Sequence, residues 1–104
     1  MLEPIEKEIN GKKFTLSKFP AIEGREISAV YARSSFGNDE DYKINESIML
    51  KLMAYVGVML PSGMLLRLTT RELVNNHVPN WETLVKIEKE MVEYNCSFLL
   101  NGQG

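Results

Sequence analysis

The chain is poor in the residue types that carry chemistry. Among 104 residues there is one cysteine, Cys96, and one histidine, His77. A single cysteine excludes an internal disulfide and leaves a zinc site short of its usual thiolates, which fits a reducing compartment. An excess of positive charge is missing too, since twelve Lys and Arg face fourteen Asp and Glu, a net charge of -2. With no global field to draw phosphate backbones, nucleic acid is not expected as a main partner. Long apolar runs are lacking: Val56 to Leu60 and Met64 to Leu66 are split by Pro61 and Gly63, well short of the roughly 20 residues that cross a bilayer. The stretch Met1 to Lys13 carries several charges and no apolar core of signal-peptide length, so a cytoplasmic location and no membrane contact are expected.

What is present is ordinary globular material. At 44% hydrophobic and 25% charged residues, the chain can bury a core and is unlike the polar composition of disordered proteins. Its length suits one domain, 1–104, and no repeat, low-complexity tract or linker divides it.

Read in order, Ile5 to Ile9 and Phe14 to Leu16 alternate on either side of Asn10-Gly11, the pair best suited to a type I′ hairpin turn. Ile5, Ile9, Phe14 and Leu16 are expected to form its buried face. Pro20 fits the first turn of a helix entered at Ser17 or Phe19 and running to about Arg33, with Ile22, Ile27, Val30 and Tyr31 as apolar positions. Ser34 to Asp41 reads as a solvated acidic loop. A second helix starts near Ile44. Its apolar set, including Ile48, Met49, Leu52 and Met53, covers more than one face, which makes it central or partly held for a partner. From Val56 to Leu68 two short strands around Pro61-Ser62-Gly63 are preferred, with continuation of the second helix to Leu60 as the competitor. Thr69 and Glu72 are spaced as a capping box for a short third helix to about Asn76. Asn80 caps a last helix from Trp81 to about Phe98, in which Leu84, Ile87, Met91, Tyr94 and Phe98 line one face. The sum is an α+β fold, mostly α: an N-terminal β-hairpin, about four helices and a second short hairpin at 56–68.

Catalytic patterns are weak. Cys96 and His77 are one pair of reactive types without a supporting motif, and Cys96 near the end of an amphipathic helix suits a half-buried small hydrophobe. Glu88, Glu90 and Glu93, interleaved with Lys86 and Lys89, predict a solvated face of weak ion pairs. Asp39, Glu40 and Asp41 lack the ligand alternation and terminal Glu of a calcium loop. With no phosphate loop, zinc spacing or nucleophile elbow, neither enzymatic activity nor a cofactor or metal is expected.

Apolar surface remains. A second hairpin with Leu60 opposite Met64 puts Val56, Val58, Leu60, Leu66 and Leu68 on one face and Met59 and Leu65 on the other. One face enters the core and the other needs a cover. Four of the six methionines, Met49, Met53, Met59 and Met64, crowd this region; they either fill the core or offer deformable contact area to a partner. Met49, Met53, Met59, Met64 and Leu65, with Trp81 at the head of the last helix, are the candidate partner-binding residues.

The stretch Asn10-Gly-Lys-Lys-Phe-Thr-Leu-Ser-Lys-Phe-Pro-Ala-Ile-Glu-Gly-Arg-Glu26 resembles the opening of the tail assembly chaperones of long-tailed, siphovirus-like bacteriophages, where an Asn-Gly hairpin ending in Thr-Leu-Ser leads straight into a helix. The later order is similar: an apolar central helix, a short helix at Thr70 to Asn76, a Pro-plus-Trp junction and a long closing helix. The Pro61-Ser62-Gly63 turn has no counterpart in that pattern. The resemblance implies a non-enzymatic protein of the host cytoplasm that self-associates, coats the tape measure protein to keep it soluble, and helps to recruit tail tube protein. A small phage structural subunit or a protein-binding inhibitor of a host factor is the alternative, and an enzyme using Cys96 and His77 the third.

Overall fold

The computed structural model describes residues 4–33 and 42–101. The expected acidic loop, with Asp39, Glu40 and Asp41, lies outside them. Strand β1 (Ile5–Ile9) and strand β2 (Lys12–Leu16) precede helix α1 (Ala21–Arg33) and helix α2 (Tyr42–Met53). Strands β3 (Val56–Met59) and β4 (Leu65–Arg67), then helices α3 (Arg71–His77) and α4 (Trp81–Asn101), complete the order. The strands form one antiparallel sheet in the order β1-β2-β3-β4. The fold is α+β and mostly α, with both expected hairpins.

Each hairpin follows from its turn. Asn10 and Gly11 both take positive φ, 52° and 83°, as a type I′ connection requires. In the second, Gly63 N–H donates to Leu60 C=O at 2.8 Å and Leu60 N–H to Met64 C=O at 2.9 Å. Gly63 has φ 90°, so Leu60-Pro61-Ser62-Gly63 is a tight turn closed by a left-handed residue, with Pro in the position whose fixed φ suits it. This sets Leu60 opposite Met64, the register that the alternation predicts. The competing helix extension fails because α2 tightens and ends at Ala54-Tyr55, where Tyr55 N–H bonds Leu52 C=O at 3.0 Å. Tyr55 C=O then accepts from Ser17 N–H at 3.1 Å, joining the second hairpin to the end of β2.

Pairing decides which side chains share a face. Phe14, Leu16, Val56 and Val58 point to the inner face and are buried with Ile27, Val30, Ile48, Leu52, Ile87 and Met91 of the helices. At about 25 cal/mol per Å² of apolar area removed from water, this shared cluster is the main force for assembly. Glu6, Glu8, Lys13, Met59, Leu65 and Arg67 point to the outer face and are exposed.

Several local expectations shift. Ile5 sits on the inner face but remains 38% exposed, because it lies at the open end of the hairpin. Ile22 is 80% exposed: five positions before Ile27 in a helix of about 3.6 residues per turn, it points well away from the buried face. Pro20 lies one residue before α1 and receives Gly24 N–H on its carbonyl at 2.8 Å, so it caps the helix rather than opening its first turn. The cap of α3 is Thr70, whose hydroxyl accepts Leu73 N–H at 3.2 Å; the box spacing from Thr69 is one residue early. Asn80 caps α4 as its type predicts, its Oδ1 accepting Thr83 N–H at 2.8 Å.

Candidate protein-binding surface

The two tips of the hairpins and the start of α4 meet at one end of the molecule. Asn10, in the first turn, donates through Nδ2 to Thr83 Oγ1 at 3.0 Å and accepts from Lys86 Nζ at 2.9 Å. Lys12 Nζ donates to His77 C=O at 2.6 Å, bringing the end of α3 to the same place. Since β3 runs antiparallel to β2, its Met59 end and the Pro61-Ser62-Gly63 turn lie toward this end as well.

Exposed apolar side chains concentrate here. Met59 is 54% exposed, Met64 66%, Leu65 37% and Trp81 80%. Met59 and Leu65 stand directly opposite one another on the outer face. Leu65 lies across Gly57: a Cβ at that glycine would come within 2.8 Å of Leu65 Cδ1, so the missing side chain lets the leucine lie flat on the strands. Arg67, next along the same face, sits 5.9 Å from the Tyr55 ring centroid, and Tyr55 meets Phe19 edge-on at 5.6 Å. Trp81 flanks a separate notch of about 210 Å³ formed with Val74, Val78, Pro79 and Leu84.

The remaining candidates sort differently. Met53 is fully enclosed, so it fills the core and offers nothing to a partner. Met49 is half-buried against the same core. Helical spacing placed both on an apolar stripe but left open which part of that stripe the sheet would cover; α2 lies against α1, α4 and β3, and Met53 faces inward.

Cys96 and His77 are not brought together. His77 is at the hairpin-tip end, whereas Cys96 lies fifteen positions beyond Trp81 along α4, about 22 Å at the helical rise. Cys96 borders a cavity of about 380 Å³ with Phe19, Pro20, Gly24, Arg25 and Asn95. Burial raises its thiol pKa, with nearby Lys18 pulling the other way, so thiolate formation at neutral pH is disfavoured.

Two polar features went unread in the sequence. Asn95 accepts Phe19 N–H at 2.8 Å and donates to Ser17 C=O at 3.2 Å, pinning the β2–α1 connection to α4. Glu88, expected on a solvated face, is 3% exposed and takes a hydrogen bond from the Tyr31 hydroxyl. Burial raises its carboxyl pKa while the Tyr31 hydrogen bond lowers it, with a net rise; Tyr31 is raised by burial first and then by the Glu88 charge. The signal for Glu88 was available, because it falls four after Leu84 and three before Met91, inside the apolar stripe of α4. Its neighbour Glu90 does face outward, pairing with Lys7 at 3.0 Å.

Among the described residues no helix is long and apolar enough to cross a membrane. No protein-family model, no curated protein and no solved structure matches this chain.

Proposed function

We propose that this chain is a non-enzymatic tail assembly chaperone that binds the tape measure protein on the outer face of its second hairpin. One observation carries the reading: strands whose inner side chains are closed into the core present Met59 and Leu65 to solvent, with Met64 exposed at the tip. A long amphipathic helix has an apolar stripe that aggregates unless covered, and flexible methionines adapt to stripes of varying shape. The face of one copy is small, so binding of a single copy is weak; many copies along one client supply the strength through effective concentration. The resemblance of the segment from Asn10 to Glu26 to the opening of tail assembly chaperones supports the choice of client. On the same reading the chain works in the host cytoplasm and passes the coated client to tail tube subunits.

Co-expression with the long helical tape measure protein tests this. The wild-type chain raises the soluble fraction of that client, and Met59→Asp with Leu65→Asp abolishes the gain while leaving the chaperone folded. A client equally soluble with and without the chain refutes the proposal; a double variant that protects as well as wild type moves the site elsewhere.

A further inference from the structure

The sheet has two edges, and their chemistry differs. On β1 the ladder to β2 uses Ile5, Lys7 and Ile9, because a two-residue turn makes its flanking pair, Ile9 and Lys12, the hydrogen-bonded one and the pattern then alternates. The backbone groups of Glu6 and Glu8 therefore face outward, beneath two carboxylate side chains. Alternating charge of this kind guards an edge against strand addition. On β4 the ladder uses Met64, Leu66 and Leu68, shown by the Leu60-to-Met64 and Leu68-to-Val56 bonds at 2.9 Å each. Leu65 N–H, Leu65 C=O and Arg67 N–H thus point out of the sheet, beside the exposed side chains of Leu65 and Met59. Arg67 C=O turns back to Thr69 N–H at 3.0 Å.

We infer that β4 is the joint between two copies of this chain, its edge pairing antiparallel with the β4 edge of a second copy about a two-fold axis, Leu65 opposite Leu65. Four-stranded sheets then merge into one of eight strands. The occupant is a second copy for two reasons. Each molecule has one open edge and one guarded edge, so pairing closes at two and stops. The register also matches side chains: the two Leu65 and two Met59 form an unbroken row across the seam, while each Arg67 falls opposite Gly63. The two guanidinium groups are then four positions apart along the strands, about 13 Å, beyond the reach of screened repulsion. A head-to-tail joint of β4 onto β1 instead sets Leu65 beside the carboxylates of Glu6 and Glu8. Strands this short bury less than the roughly 1,200 Å² of a standard interface, so the dimer is a weak one. The seam itself depends only on the edge; that it joins two client-binding faces into one wider face rests on the chaperone reading.

Sedimentation equilibrium of the full chain from about 10 µM to about 1 mM reads the joint. The wild type shifts from monomer to dimer, Arg67→Pro stays monomeric because it removes an outward N–H that no bond among the described residues uses, and Glu6→Pro, the same change on the guarded edge, dimerises as wild type. Amide hydrogen exchange of the unaltered chain gives the second measurement: Leu65 and Arg67 amides slow with rising concentration and those of Glu6 and Glu8 do not. A wild type monomeric throughout, a folded Arg67→Pro that still dimerises, a folded Glu6→Pro that does not, or Leu65 and Arg67 amides that exchange at a constant rate overturns the inference. A monomeric wild type that still solubilises the client removes the joint and leaves the chaperone reading standing; a dimer that fails to solubilise it does the reverse.

Discussion

The two hairpins are built on the same sheet and have opposite surfaces. The first carries Glu6, Glu8 and Lys13 on its outer face and ties its tip down through Asn10 to Thr83 and Lys86. The second carries Met59 and Leu65 there and leaves Met64 exposed at its tip. Inside, both contribute buried apolar residues: Phe14 and Leu16 from one, Val56 and Val58 from the other. Core formation therefore explains the inner faces of both hairpins and the outer face of neither. The outer face of the second hairpin carries a single charge, Arg67, beside Met59 and Leu65, and this exposed apolar pair contributes nothing to the monomer's core, which is why the proposed binding surface is placed there.

The contrast between inner and outer faces breaks most visibly at Phe14. Phe14→Ala should cost about 3–5 kcal/mol in urea unfolding, whereas Leu65→Ala, on the outer face, should cost under about 1 kcal/mol; comparable losses would mean that the outer face is structural. Charge on the wrong side of the boundary comes next. Tyr31→Phe takes a donor from the buried Glu88 and should cost about 1–3 kcal/mol at neutral pH, with a smaller loss in acid, where the carboxyl is protonated. The sign for Glu88 itself follows from its raised value: such a group holds its proton more tightly when folded, so its stabilisation is full below the unfolded value and is lost as pH rises through the folded one. Glu88→Gln should accordingly gain stability relative to wild type as urea titrations move from about pH 4 toward pH 8; a variant that instead loses stability relative to wild type over that range contradicts the buried placement. A finer comparison lies in the turns. Gly63→Ala, forced to positive φ, should lose about 1 kcal/mol, without altering the first hairpin in amide chemical shifts. Smallest of all, Met59→Ser should leave stability within about 0.5 kcal/mol while weakening client capture.

Local chemistry made much of this legible beforehand. Asn-Gly and Pro-Ser-Gly each specify a turn, a turn fixes a register, and a register of period two assigns every strand residue to a face. That chain of inference puts Met59 and Leu65 on the face opposite Val56 and Val58 from the sequence alone. On helices the same reasoning is looser, since a stripe of period 3.6 has soft borders that only tertiary packing resolves. Met53 escapes assignment for that reason, since its burial depends on which neighbour arrives; Glu88 lies inside the stripe of α4, and its charge rather than its position suggests solvent. Ile22 points away from the buried face of α1, and Trp81, at a helix start, escapes the stripe rule because the core does not extend past the first turn. Asn95 was invisible, as its partners Ser17 and Phe19 lie more than seventy residues away in the chain.

The pairing of Thr15 with Gly57 and Leu16 with Val56 is the one place where the two hairpins touch as strands, and it spans α1 and α2. Each hairpin can zip locally within microseconds, but this central splice must wait for an ordering of the intervening helices whose loop-closure entropy is borne all at once. Two-stranded ribbons this short are marginal alone, so the splice and the packing of α1 and α2 against it are expected to form together, and the folding rate should respond to changes in α1 and α2 as well as to changes in either turn.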